Sequence, residues 1–245
     1  RASGLSEGKY IGFGVLERHD LAAWSEYLKE RFPGQPVILD GVSMGGATIM
    51  MGCGSGNPDN VRALVCDCGY TSPAAICKRT LKRGFHLPPF PIYYIANLFV
   101  KLFAGYSLDE VSAADCLKKN RLPLLMAHGK KDGFVPYEMS LENFRSCGEG
   151  AVLFTSEEAD HGLAFLRDHE GYMNEIKEAI KELKSEAMSE LAEAKSTHNE
   201  IEKIYIPSMN FDLMNEYTEK TLCRLSDEEV VAVAQKGNEA ALNHI

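Results

Sequence analysis

A serine set among glycines, where an apolar run meets a helix-like run, constrains this chain more than any other feature. Residues Gly41-Val42-Ser43-Met44-Gly45-Gly46 follow Val37-Ile38-Leu39 and open into Ala47-Thr48-Ile49-Met50-Met51. The first run reads as a strand and the second as a helix. A chain that passes from strand to helix in so few residues turns sharply at the serine. Its neighbours two positions away must then lack bulk, which Gly41 and Gly45 supply. Such a turn lifts the Ser43 hydroxyl clear of the backbone. It also leaves the Met44 N–H free to meet a developing oxyanion. A glycine-x-serine-x-glycine string alone is common, so the rest of the chain has to supply the partners.

A serine nucleophile needs a base, and the base needs an orienting acid. Leu122-Pro123-Leu124-Leu125-Met126-Ala127 reads as a buried strand, and His128-Gly129-Lys130-Lys131-Asp132-Gly133-Phe134-Val135-Pro136 reads as the loop after it. Asp132 therefore falls just past the carboxyl end of a strand, where open α/β sheets carry their sites. Ala151-Val152-Leu153-Phe154-Thr155 is a further strand-like run, followed by the loop Ser156 to Gly162 with His161. Ser43, Asp132 and His161 each follow a strand, in that order. Asp67, after the run Ala63-Leu64-Val65-Cys66, and Asp160, beside the histidine, are the other acid candidates.

Four segments carry a resemblance to bacterial α/β-hydrolases of the serine-aminopeptidase-like group. They are Asp40 to Gly46, Asp67-Cys68-Gly69-Tyr70-Thr71-Ser72-Pro73, His128 to Pro136, and Asp160-His161-Gly162. The resemblance covers roughly residues 1 to 184. It implies an α/β-hydrolase fold with a mostly parallel sheet, Ser43 as nucleophile, His161 as general base and acid, and Asp132 as orienting acid. It implies no metal and no organic cofactor.

The same resemblance makes the front of the chain short. In the family a segment of the type R-G-H-G-x-S follows the fourth strand, whereas this chain opens on Arg1-Ala2-Ser3-Gly4 with one helix, from Val15 to Arg31, before the serine. The chain thus reads as an N-terminally truncated hydrolase. The loop that supplies a second oxyanion donor is not in it, and losing one donor costs about 10²–10³ in rate. The strand before Ser43 is expected to be an open sheet edge, a route to self-association.

A net charge of −9 argues against a generic nucleic-acid binder. The seven cysteines match no zinc spacing. Cys66 and Cys68 are expected on one strand face as buried thiols, and unpaired thiols fit a reducing, cytoplasmic setting. No signal peptide or membrane span is in view.

Residues 70 to 120 are too many for a plain connection and read as a lid. A helix is expected from Pro73 to Arg83 with a basic face of Lys78, Arg79, Lys82 and Arg83. The proline turn His86 to Pro91 then leads into an apolar helix, Ile92 to Phe103, which acts either as a cap or as an interfacial surface. Such a cap favours an apolar acyl or peptide-like substrate. Tyr172, Met173, Ile176, Ala179, Ile180 and Leu183 form a closing helical stripe. Residues 185–208 read as a helical linker and 209–245 as a short helical tail. In that tail Ser226 and Glu229 form a capping box, and Leu225 to Leu242 resembles the opening of a sporulation-type sigma factor.

Taken together, these residues predict a serine hydrolase for ester, amide or related acyl substrates. The alternatives are a non-catalytic interaction module on an incomplete hydrolase fold and a fusion with a transcription-factor fragment.

Overall fold

The computed structural model describes residues 1–148 and 150–178. Ala179, Ile180 and Leu183 of the closing stripe, the 185–208 linker, the 209–245 tail with its capping box, and the sigma-like segment lie outside the described residues.

Four parallel strands form one sheet in sequence order: β1 (Val37–Val42), β2 (Val61–Asp67), β3 (Leu124–Gly129) and β4 (Ala151–Ser156). Parallel neighbours need crossovers. These are α2 (Met44–Gly52) between β1 and β2, the long insertion between β2 and β3, and α6 (Tyr137–Ser146) between β3 and β4. β2 and β3 are buried on both faces, so they read in sequence as unbroken apolar runs rather than alternating ones.

The two faces of the sheet carry separate cores. Leu39, Leu64, Cys66, Leu124 and Met126 pack with Ile49, Met50 and Met51 of α2 and with Leu117 of α5 (Ala113–Leu117). On the opposite face Val65, Leu125 and Ala127 pack with Ala164 of α7 (Ala164–Arg167) and with Tyr172, in a stretch that is helical over 169–178. The odd and even positions of one strand feeding two cores is the period-two rule at work. Tyr172, Met173 and Ile176 of the closing stripe face inward as expected.

The opening helix is α1 (Glu17–Arg31), whose one fully buried side chain is Ser25. Trp24 and Tyr27 are exposed and stack edge to face, so the apolar residues of α1 do not gather on one side. β1 pairs only with β2 among the described residues, which leaves its other side as a sheet edge.

The insertion is helical. α3 (Pro73–Arg83) starts where the Ser72 hydroxyl accepts the Ala75 N–H at 3.1 Å, and it matches the expected basic helix end to end. α4 (Pro89–Phe99) runs on into a wide turn over Val100–Ala104. Two tyrosines tie the insertion to the first residues of the chain. Tyr70 donates to the Phe13 carbonyl at 3.0 Å and Tyr106 to the Ile11 carbonyl at 2.8 Å. No helix among the described residues is long and apolar enough to cross a membrane.

Candidate active site

Ser43 sits at the junction of β1 and α2 with φ 56° and ψ −112°. Positive φ is unusual for a residue with a Cβ and is held only where surrounding structure enforces it. The enforcing contact is the return of α2 across the end of β1. A Cβ on Gly41 would stand 2.5 Å from the Gly45 carbonyl carbon, and one on Gly46 would stand 2.8 Å from the Gly41 oxygen. A Cβ on Gly45 would meet nothing within 4 Å. The expectation for Gly45 is therefore corrected: the crowded position after the serine is Gly46, whose Cβ direction points back at β1 and at the end of β2. Met44 is the first residue of α2, where an N–H has no intrahelical acceptor.

The three separated residues Ser43, His161 and Asp132 meet here. His161 Nε2 is 2.9 Å from Ser43 Oγ, and its Nδ1 is 2.8 Å from Asp132 Oδ2. Asp132 lies in the turn after β3 and His161 in the loop after β4. Adjacent parallel strands end level with one another, so the two loops are neighbours. Asp132 Oδ1 also accepts the N–H groups of Phe134 at 2.9 Å and Val135 at 2.8 Å, which fixes the carboxylate. Burial pushes this carboxyl up, but hydrogen bonds from His128 and His161 outweigh burial and hold it well below the ordinary carboxylate range. An ionised Asp132 assigns the proton of His161 to Nδ1. Nε2 is then the acceptor for the Ser43 hydroxyl.

The other two acids have different surroundings. Asp160 Oδ1 accepts the N–H of Gly133 at 3.0 Å and of His161 at 2.7 Å, tying the histidine loop to the Asp132 loop through backbone rather than through the imidazole. Asp67 ends β2, is 2 % exposed, and its Oδ1 has no hydrogen-bond partner. Burial raises its pKa to about 6, partly offset by His128.

Three residues to which the sequence reading gave no part in the site complete it. His128 is fully buried at the end of β3. Its Nε2 faces two acceptors, the Val135 carbonyl at 2.9 Å and Asp132 Oδ2 at 3.2 Å, so Nε2 carries the proton. Its Nδ1, 2.5 Å from Ser140 Oγ, then accepts the Ser140 hydroxyl. The sequence reading began the loop at His128, whereas β3 runs on to Gly129 and so carries this ring into the core. Phe134 stands edge-on to the His161 ring at 5.1 Å. Arg79 of α3 donates to the carbonyls of Phe134 at 3.1 Å and Gly133 at 3.3 Å, so one member of the basic helix face braces the acid loop.

Cys68 corrects a further expectation. It follows the end of β2 with φ 43° rather than continuing the strand, so it leaves the face that Cys66 shares with the core. Its Sγ, an Asp132 oxygen and a His161 nitrogen lie within 4.8 Å of one another, the one such set among the described residues. These donor types would suit a borderline-soft cation. As folded, however, the Asp132 oxygens accept N–H groups and the imidazole bridges Asp132 to Ser43. The oxygen and nitrogen atoms of the set are thus already taken up by these contacts. Burial pushes the Cys68 thiol far up, so it is protonated and a poor nucleophile.

Comparison with known proteins gives the architecture its place. An esterase of Pyrococcus furiosus superposes with a TM-score of 0.56 at 24 % identity, over 75 % of this chain and 67 % of that one. A lipase-esterase related protein from Clostridium acetobutylicum superposes with a TM-score of 0.53 at 20 % identity, over 72 % and 79 %. The chain has the α/β-hydrolase fold. Within that fold, Ser43 stands between β1 and α2, and the residues between β2 and β3 are helical. Among curated sequences, the uncharacterised protein YqkD of Bacillus subtilis is 26 % identical over 181 residues, 74 % of this chain and 59 % of that protein. The uncharacterised YfhR of Escherichia coli K12 is 25 % identical over 173 residues, 69 % and 53 %. The chain therefore spans little more than half the length of these relatives. No family model matches it.

Proposed function

We propose that the protein is a serine hydrolase acting on ester, amide or related acyl substrates through Ser43, His161 and Asp132. The observation that carries this reading is the unbroken hydrogen-bonded line from Ser43 Oγ through His161 to Asp132 Oδ2, at 2.9 and 2.8 Å, starting from a serine held at positive φ. Ser43 Oγ attacks the acyl carbonyl while His161 Nε2 takes the hydroxyl proton. The new imidazolium is stabilised by the ionised Asp132. The carbonyl oxygen becomes an oxyanion and meets the Met44 N–H. Collapse of the tetrahedral species breaks the bond to the leaving alcohol or amine, which takes its proton from His161. Water, deprotonated by the same nitrogen, then releases the acid and restores Ser43.

The test is labelling by a fluorophosphonate, which forms a covalent bond to an activated serine. Label is expected on the folded chain and is lost in Ser43→Ala. Label retained by Ser43→Ala would overturn the assignment.

The sheet edge of β1 favours a second reading, an interaction module that self-associates through that strand. A folded chain that takes no label, yet dimerises unless β1 is blocked by proline, would support it. We keep 1–184, 185–208 and 209–245 as the proposed division of the chain. A reducing, cytoplasmic compartment is proposed from the cysteines, six of which are free thiols among the described residues.

A further inference from the structure

The insertion carries a surface that the chemistry at Ser43 does not use. In a chain of net charge −9, residues 68–108 contain Lys78, Arg79, Lys82, Arg83 and Lys101 and not one Asp or Glu. The same segment exposes large apolar side chains in a row. Phe90, Tyr94, Leu98, Phe99, Leu102 and Phe103 are each more than half exposed, reaching 73 % at Phe90 and 69 % at Phe103. From Tyr94 onward the spacing of four, one, three and one keeps them on one side of α4 and of the turn that continues it, and Phe90, where the backbone is extended, joins the row through an edge contact with the Tyr94 ring at 5.8 Å. The opposite side is anchored. Tyr93 is buried and donates to Asp109 at 2.9 Å, and Asn97 donates to Asp109 at 2.7 Å. The exposed face is therefore rigidly presented.

Its cations differ in how free they are. Lys78 lies over the Tyr93 ring at 4.3 Å and pairs with Asp109 at 3.8 Å, while Arg79 is bound to loop carbonyls. Lys82 and Arg83 end α3, which packs beside α4. Lys101 falls three residues after Leu98, along the apolar row itself. All three are exposed, and none has a carboxylate within 4 Å among the described residues. Beside the far end of the row an apolar cleft of about 490 Å³ opens between Tyr10 and Ile11 on one side and Phe99 and Phe103 on the other.

Apolar side chains flanked by unpaired cations, on a helix too short to span a bilayer, are the composition of an element that lies in a lipid interface. We propose that this face docks the protein on an anionic membrane surface. Phe90, Leu98, Leu102 and Phe103 enter the acyl boundary, and Lys82, Arg83 and Lys101 meet the headgroup phosphates. Charge selects this occupant over a second copy of the chain. A two-fold contact through the face brings the same cations against themselves, whereas an anionic surface neutralises them.

The experiment is flotation of the purified full chain with vesicles of phosphatidylcholine alone and of phosphatidylcholine mixed with phosphatidylglycerol. It needs no catalytic activity, so it stands or falls apart from the hydrolase reading. Binding is expected on the mixed vesicles and is weakened by added salt. Two variants of exposed residues, Leu102→Ser with Phe103→Ser, and Lys82→Glu with Arg83→Glu and Lys101→Glu, each weaken it by at least about tenfold while circular dichroism stays unchanged. Three results would overturn the proposal. The first is no association with mixed vesicles. The second is equal binding to both vesicle types that ignores the charge reversal. The third is a chain dimer that the Leu102 and Phe103 changes dissociate, with no vesicle binding.

Discussion

His128 Nε2 lies 3.2 Å from Asp132 Oδ2, the same oxygen that accepts the Nδ1–H of His161 at 2.8 Å. The carboxylate is thus held between two imidazoles, one buried and one facing the serine. His128 is fully buried and its ring nitrogens face Val135, Asp132 and Ser140 rather than Ser43, so under the proposed function its part is to position Asp132. Its removal takes away one hydrogen bond to a charged group, worth about 1.5–3 kcal/mol. His128→Ala is expected to lower kcat by roughly 10- to 100-fold with little change in KM. His128→Gln, which keeps an N–H donor, recovers part of that loss. Steady-state turnover of an activated ester checks both, and equal damage from the two variants would mean that His128 serves only as core.

The three candidate acids separate under substitution. Asp132→Asn keeps the shape but removes the charge that stabilises the imidazolium and fixes its tautomer. A fall in kcat of about 10⁴ is expected. Asp160→Asn disturbs the loop that carries the His161 backbone without touching the ring. Asp67 makes no hydrogen bond to His161. Both of these variants are expected to stay within about tenfold of the parent. A larger loss in Asp67→Asn than in Asp132→Asn would reassign the acid to β2.

The glycines around the serine make opposite predictions. Gly41→Ala and Gly46→Ala push a methyl into backbone at 2.5 and 2.8 Å, where nothing flexible can yield. Each is expected to destabilise the fold by more than about 2 kcal/mol and to abolish fluorophosphonate labelling. Gly45→Ala meets open space inside a helix, where alanine is favoured by up to about 1 kcal/mol. It is expected to label normally and to be at least as stable as the parent. Urea denaturation followed by labelling of the surviving protein reads all three.

The four strands, and the meeting of Ser43, His161 and Asp132 at their ends, were legible because each depends on local pattern. An apolar run ends, a glycine or an acid follows, and parallel topology brings the strand ends together. Gly46, Cys68 and His128 were not legible, since their roles depend on what lies across a turn or in the next loop. Gly45 has the right spacing from Ser43 but points outward, and only the path of α2 decides that. Cys68 broke the period-two expectation because β2 ends one residue earlier, at Asp67, and the backbone then turns to positive φ. The insertion was readable as helices. Its exposure was not, since an aromatic stripe at helical spacing looks the same whether it faces a core or a bilayer.

Asp67 links the buried polar layer to stability. Its pKa in the fold is raised from 3.8 to about 6, chiefly by burial. Between roughly pH 4 and pH 6 the folded chain therefore holds a proton that the unfolded chain has released. The Asp67 contribution to stability falls as pH rises through that window and is fully lost above it. The rise corresponds to about 3 kcal/mol when the group is completely ionised. Asp67→Asn carries no charge to bury. It is expected to match the parent near pH 4 and to exceed it by about 2–3 kcal/mol at pH 8. Asp132 has the reverse sign. Its lowered pKa contributes stability that is present above the ordinary carboxylate range and is lost only as pH falls toward the folded value. Comparing parent and Asp67→Asn at the two pH values cancels that second contribution, because Asp132 is unchanged in both. Urea unfolding at pH 4 and pH 8 makes the measurement. A difference that does not grow with pH would show that the Asp67 charge is compensated within the fold.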